Sequence, residues 1–291
     1  MVTLMFMRVV KNKFLMDNQS KVKEIAGKHL GKVGGAGYSD QYNRELLVKV
    51  PRKLNRETYN LSGNEFVGVD TWNAYEVSAI TTKGQPVAGM LKIVCPSNSE
   101  YHVESKSIKL YLNSLNMTKI GDTAKDCIKG IEATVKRDLD ELLETDTTVS
   151  FYATDSETTP LSFKDYEDVA EIANLDEIDF TSFKSDASQL EAQDNDWGDV
   201  FIYLRGKKLP TAASLAKYIV SHRTVSHFHE EICEMVFAHL TEAFQPDQLM
   251  VACLYTRRGG LDINPIRATH SSLVPEFFTN PDFIIQKTLR Q

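Results

Sequence analysis

The stretch Val103-Glu104-Ser105-Lys106-Ser107-Ile108-Lys109-Leu110-Tyr111-Leu112-Asn113-Ser114-Leu115-Asn116 decides how the rest of the chain is read. Ile108, Leu112 and Leu115 recur at helical spacing, so one face of a helix here is apolar and packs inward. Glu104, Ser105 and Lys106 then stand at its N-terminal end, where backbone N–H groups lack intrahelical partners and attract anions or polar ligands. Periodicity alone predicts an amphipathic helix with a solvated basic face.

Outward from that helix, composition narrows the classes of function. A chain of 291 residues holds one large domain or two of ordinary size. Its 42% apolar and 25% charged content is that of a globular protein. A net charge of -7 argues against a general binder of nucleic acid or of anionic membranes. The basic residues are nevertheless clustered, at Lys106 with Lys109, at Arg205 to Lys208 and at Arg257 with Arg258. Local spots of this kind suit a small anionic ligand better than a polymer. Cys95, Cys127, Cys233 and Cys253 include no CxxC pair, which leaves metal and redox motifs unsupported and predicts a reduced, cytoplasmic setting. No run reaches the length of a membrane span. Residues 1–28 read as a leader without the h-region or cleavage site of a signal peptide.

Residues 29–72 read as an irregular arm, with four glycines between 31 and 37 and an extended segment around Pro51. Asn73–Thr81 and Gln85–Val94 alternate as two strands turned at Lys83-Gly84. After the opening helix, a second is expected from an N-cap at Asp122 to Leu143, and Thr147–Thr154 reads as a strand. The segment 155–199 is acidic, with Lys164 and Lys184 its only basic residues. Beyond it the pattern predicts a strand at Asp199–Leu204, helices at Ala212–His222 and Phe228–Phe244, and a hairpin of Leu249–Tyr255 with Leu261–Ile266. Strand pairs flanking a helix pair, twice over, suggest two copies of one antiparallel unit. The expected fold class is therefore α+β, with modules at 29–154 and 183–291 joined by an acidic linker at 155–182.

Several polar clusters stand out from this frame. Phe228-His229-Glu230-Glu231 opens the last long helix, and Asp196-Trp197-Gly198 leads into a strand. Thr256-Arg257-Arg258-Gly259-Gly260-Leu261-Asp262-Ile263-Asn264-Pro265 is a hairpin tip with more glycine and arginine than a turn needs. In order and spacing, ESKSIKLYLNSLN at 104–116, DWG at 196–198, FHE at 228–230 and YTRRGGLDINP at 255–265 resemble the long, two-module form of the NADPH-dependent 7-cyano-7-deazaguanine reductases of queuosine biosynthesis. The resemblance runs from about residue 29 to the C-terminus. It implies two ββααββ tunnelling-fold modules, a barrel completed by oligomerisation (a homodimer at least), and a small 7-deazaguanine base as ligand, with no direct nucleic-acid or membrane partner. By the same resemblance Glu230 anchors the guanine-like edge, whose N1–H and 2-amino group match a carboxylate. Glu104 and Ser105 complete the base site, His229 lies beside the 7-substituent, and Asp196 is the general acid. Lys106, Lys109, Arg257 and Arg258 would hold the dinucleotide.

One position departs from the family. Its catalytic Cys, a few residues before the DW pair, corresponds to Ala187 in Lys184-Ser185-Asp186-Ala187-Ser188, and the following loop is about two residues longer. A thiolate turns the poorly electrophilic nitrile into a thioimide that hydride can attack, and the alcohol of Ser188 lacks the acidity and softness to replace it. Removal of a 7-carboxylate needs no thiolate: protonation at C7 and loss of CO2 suffice. The leading expectation is a cofactor-independent decarboxylase of 7-carboxy-7-deazaguanine, with Asp196 as proton donor and His229 orienting the carboxylate. The alternatives are an NADPH-dependent nitrile reductase with a relocated nucleophile, and a non-catalytic deazaguanine-binding homologue. Such divergence also suits a base-modification pathway of a phage or mobile element.

Overall fold

A computed structural model describes residues 39–153, 156–159, 163, 166–179, 198–222 and 227–284, with positions 21, 24 and 25. Six strands, β2 (Val67–Ile80), β3 (Pro86–Pro96), β5 (Thr148–Tyr152), β6 (Gly198–Arg205), β7 (Gln248–Tyr255) and β8 (Leu261–Ala268), form one antiparallel sheet in the order β5-β3-β2-β8-β7-β6. Two short strands, β1 (Lys49–Pro51) and β4 (Tyr101–Val103), pair beside it. The four longer helices are α1 (Ser105–Asn113), α2 (Ala124–Leu143), α3 (Ala212–Val220) and α4 (His229–Phe244). Among the described residues no helix is long and apolar enough to cross a membrane.

The helices cover one face of the sheet. Ile108, Leu112 and Leu115 of the opening stretch are buried against Trp72, Ala74, Leu91 and Ile93, as the helical periodicity predicts. Ile131, Val135, Leu139 and Leu143 of α2 join the same core, and so do Leu261 and Ile263 of β8. Under α4 the core comprises Cys233, Val236, Phe237 and Leu240 with Leu249, Val251, Cys253 and Tyr255 of β7. The alternate residues Met250, Ala252 and Leu254 face the other way, onto Phe163, Phe277 and Phe278. With both faces covered, β7 is apolar almost throughout. On that second face the buried Lys92 donates to the carbonyls of Phe277 (2.8 Å), Asn280 (2.7 Å) and Phe283 (2.9 Å) and pins the C-terminal segment to the sheet.

Two expectations need correction. Residues 29–72 are not an arm throughout: Lys49–Pro51 is a strand, Lys53–Arg56 a helical turn, and β2 starts at Val67, six residues before Asn73. The buried Asp70 and Thr71 hide the strand from a hydropathy reading, because their partners come from distant parts of the chain. The N-cap of α2 is Thr123, whose hydroxyl accepts from the amide of Asp126, while Asp122 instead accepts from the Thr82 hydroxyl. The two halves each carry a strand hairpin and a helix pair, as the two-module reading expects. Among the described residues each half contributes three strands to the six-stranded sheet, with the hairpin before the helices in the first half and after them in the second. The α+β class with antiparallel strands and one-sided helices stands, and the sheet is open at β5 and β6. That openness is what a sheet closing into a barrel by association requires.

The central joint is β2 against β8, from Val67↔Ala268 to Ala74↔Leu261. Behind it lies a buried chain of charges. Arg267 reaches Asp70 (2.8 Å) and Glu234 (2.9 Å), Arg52 reaches Asp70 (2.6 Å), and Arg56 grips Glu234 with two N–H groups at 2.9 and 2.7 Å. Burial alone would raise both carboxyls. The guanidiniums override it and hold Asp70 well below the usual carboxylate range and Glu234 below its ordinary value. Loss of one member leaves a buried charge unpaired, so Glu234→Gln is expected to cost about 3–5 kcal/mol of folding stability in urea unfolding.

Candidate functional site

Described residues in or next to the sequence motifs meet where α4 begins. Phe228 is the N-cap residue of α4 in an extended conformation, and His229, Glu230 and Glu231 form its first turn. The His229 ring lies 4.0 Å from the ring of Tyr255, the last residue of β7. Tyr255 pairs in register with Gly198, the last residue of DWG. Gly198 is required by that contact, since a Cβ there would stand 2.5 Å from the carbonyl of Leu254 and 3.0 Å from Tyr255. The ESKS motif arrives from the other side through β4. His102, two residues before Glu104, lies edge-on to Phe228 at 5.0 Å, and its Nδ1 stands 3.9 Å from Oε1 of Glu230.

Glu230 is buried, with 3% of its surface exposed. Burial, reinforced by repulsion from Asp70 and only partly offset by Arg52, pushes its carboxyl up to about 8. Neither Oε1 of Glu230 nor Nδ1 of His102 has a hydrogen-bond partner among the described residues. Burial also pushes the His102 imidazole down to about 3, so at neutral pH it is uncharged and the pair is not an ion pair.

Glu104 is buried as well, but its carboxylate is the N-cap of α1. It accepts from the amides of Lys106 (2.9 Å) and Ser107 (2.7 Å), with the Ser105 hydroxyl at 3.5 Å. That explains why an acid opens this helix: it satisfies amides that the helix leaves without partners. The same position serves the fold before it serves any ligand.

Lys109 of α1 meets the arginine-bearing hairpin tip. Gly259 and Gly260 have φ of +52° and +76°, the conformation of a two-residue turn, and Arg258 and Leu261 exchange backbone hydrogen bonds across it at 2.9 and 3.2 Å. A Cβ on Gly259 would lie 3.6 Å from Lys109 Nζ, which places α1 against the tip. Arg257 is exposed and stacks over the ring of Tyr75 at 4.7 Å. Tyr75 in turn donates to Asp262, which also accepts from Asn73 and Asn264. Lys106 is half-buried on the first turn of α1.

Asp196 and Ala187 lie outside the described residues. His102 and Tyr255 were not picked out by sequence reading. An isolated His in an extended segment carries no spacing signal, whereas Tyr255 sat inside a recognised motif. All four cysteines are described and buried. Burial raises the thiols of Cys95, Cys127 and Cys233 above their ordinary values, and the Cys233 thiol points at the carbonyls of Val251 and Pro265. Among the described residues no three His, Cys, Asp or Glu side chains gather as metal ligands.

Residues 38–151 match the family model described as "Nitrile reductase, 7-cyano-7-deazaguanine-reductase N-term", and residues 195–273 match "QueF-like protein". The chain is similar to proteins named NADPH-dependent 7-cyano-7-deazaguanine reductase. That of Hahella chejuensis is 36% identical over 278 residues, covering 86% of this chain and 96% of the relative. That of Coxiella burnetii strain CbuK_Q154 is 34% identical over 273 residues, covering 86% and 91%. That of Legionella pneumophila strain Lens is 34% identical over 259 residues, covering 80% and 87%.

The raised carboxyl of Glu230 has a stability consequence with a definite sign. Between the unfolded value near 4.5 and the folded value of about 8, the folded chain holds a proton that the unfolded chain releases. Stability from this group is therefore complete below about 4.5 and is lost as pH rises towards 8. Glu230→Gln is expected to flatten the fall in thermal midpoint of the ligand-free protein between pH 5 and 8, an outcome read by calorimetric melts across that range.

Proposed function

We propose that this chain, which belongs to the family of NADPH-dependent 7-cyano-7-deazaguanine reductases, is an enzyme that holds a 7-substituted 7-deazaguanine on Glu230 and acts at the 7-position. The observation that carries this reading is Glu230 itself: a buried carboxyl at a helix N-terminus whose Oε1 lacks a hydrogen-bond partner among the described residues. N1–H and the 2-amino group of the base present two adjacent donors, which a carboxylate accepts side by side. A carboxyl raised to about 8 is mostly protonated at neutral pH, so the arriving base must displace that proton. Glu104 and Ser105 follow His102 in the chain and open α1, which supports a share for them in the base site, and His229 lies against Tyr255 next to Glu230.

Two reactions are open at the 7-position, and different observations favour each. The names of the relatives support reduction of a 7-cyano group with NADPH. The hairpin tip offers cations to the anionic parts of that cofactor, with Lys109 beside Gly259 and Arg257 and Arg258 on the turn, while the Glu76 carboxylate lies against Gly260 and limits where an anion can sit. Bound there, NADPH would supply hydride. The same reaction needs a nucleophile that this chain does not offer in the family position, where Ala187 stands, and all four cysteines are buried.

Those two facts leave room for a second reaction, decarboxylation of a 7-carboxy compound, although the relatives' names speak for the first. Asp196 delivers a proton to C7, the C7–carboxylate bond breaks, CO2 leaves, and the bonding pair restores the aromatic ring. His229 orients the carboxylate, and the lysines and arginines serve the substrate's negative charge. Association of copies through the open edges β5 and β6 would close the barrel.

Turnover separates these readings. Purified protein is incubated with 7-carboxy-7-deazaguanine and, separately, with the 7-cyano compound and NADPH, while CO2 loss is followed by mass and NADPH by absorbance. Decarboxylation predicts CO2 loss without cofactor, lowered about a hundredfold or more in Asp196→Asn. NADPH consumption dependent on the 7-cyano compound, with no CO2 loss, would establish the reductase reading instead. Base binding without either turnover would make the chain a binding protein. In all three cases Glu230→Ala is expected to weaken binding of 7-deazaguanine by about a hundredfold, measured by calorimetry. Binding at pH 7 should also release close to one proton per site, seen as a dependence of the heat on buffer ionisation.

A further inference from the structure

His102 is not part of any motif that pointed to this site. It sits in the middle of β4, opposite Val50, with 4% of its surface exposed. Its ring is fixed edge-on against Phe228 at 5.0 Å. Its Nδ1 and the Oε1 of Glu230 are both buried and lack a hydrogen-bond partner among the described residues. At 3.9 Å they are too far apart to bond each other and close enough to share one small group between them. The surrounding charges are already committed elsewhere: Arg52 to Ser99 and Asp70, Arg56 to Ser97 and Glu234, and Arg267 to Asp70 and Glu234.

The chemistry of the two atoms limits what that group is. An ionised Glu230 only accepts, so the group must donate to it. A neutral imidazole with its proton on Nε2 also accepts at Nδ1. The shared group then has two hydrogens on one atom. On the Watson–Crick edge of a guanine-type base, ring N1–H has one hydrogen and O6 has none, whereas the exocyclic 2-amino group has two.

Resting on the reading that Glu230 binds the base, we propose that His102 is a specificity-determining residue, whose Nδ1 accepts the second hydrogen of the base's 2-amino group while Glu230 accepts the first. The site then selects 2-aminated deazapurines over 2-unsubstituted ones by a buried acceptor that the latter leaves unpaired. Sites built around buried polar groups discriminate in this way because the wrong ligand strands a desolvated atom.

The test compares binding of 7-deazaguanine and 7-deazahypoxanthine, which lacks the 2-amino group, to the full chain and to His102→Leu and His102→Gln. The expected result is a preference of the unsubstituted protein for 7-deazaguanine. His102→Leu should lose roughly tenfold on 7-deazaguanine and change little on 7-deazahypoxanthine, the loss of one hydrogen bond. His102→Gln, whose side-chain carbonyl accepts, should recover part of the difference. Equal loss on both bases, or no loss on either, would overturn the role of His102 while leaving Glu230 as the anchor. Failure of the unsubstituted protein to bind either base would overturn the pocket itself. Should His102→Leu fail to fold, nitrogen NMR of the unsubstituted protein decides. The proposal requires the Nε2–H tautomer with an Nδ1 signal that moves on adding 7-deazaguanine and not on adding 7-deazahypoxanthine. A protonated Nδ1 in the complex would refute it.

Discussion

Arg267 is the residue on which the architecture turns. From the middle of the molecule its guanidinium holds Asp70 on β2 and Glu234 on α4, and it is itself wholly buried. Asp70 also holds Arg52, and Glu234 also holds Arg56, so the network ties the β1 region, the β2–β8 joint and the last long helix together. A buried charge is tolerable only when its partner is in place, so this network admits one relative arrangement of those elements. Apolar packing alone would tolerate small slips of α4 on the sheet. The charge network does not.

The candidate site inherits its chemistry from that arrangement. Glu230 is one helical turn before Glu234, on the same helix, and the same field acts on both. Glu234 has guanidinium partners and is held ionised, while Glu230 lies near the repelling Asp70 with only partial compensation and is pushed towards the protonated form. Two glutamates four residues apart are thereby given different tasks, one structural and one available for a ligand. The division follows from placement relative to three arginines and not from any difference between the side chains. His102 is neutral for a related reason, since burial and the nearby Arg52 disfavour a further positive charge.

Glu104 shows how a polar residue of a motif can answer to the fold. Its carboxylate ends up on the free amides of α1, where it opens a helix whose apolar face forms the first core. At the hairpin tip the constraint is different. Positive φ at Gly259 and Gly260 makes the tight turn, and Lys109 of α1 lies against it. The cationic edge is thus assembled from α1 and from the β7–β8 turn, which are about 150 residues apart in sequence.

The sequence by itself determined the helices and most strands, because their apolar periodicities are strong and their turns carry the glycines that tight turns need. Its motifs also identified the family to which the chain belongs. The start of β2 was invisible, because Asp70 and Thr71 look like loop residues until Arg52, Arg267 and the Phe278 carbonyl are brought to them. The joining of two halves into a single sheet was equally hidden, since β2 and β8 lie far apart in sequence and strand pairing leaves no local trace. Only the tertiary structure decided that His102 faces Glu230 and that Glu230 and Glu234 differ in protonation. Electrostatic environment and long-range contact are properties of the packed chain, and no local pattern of residues encodes them.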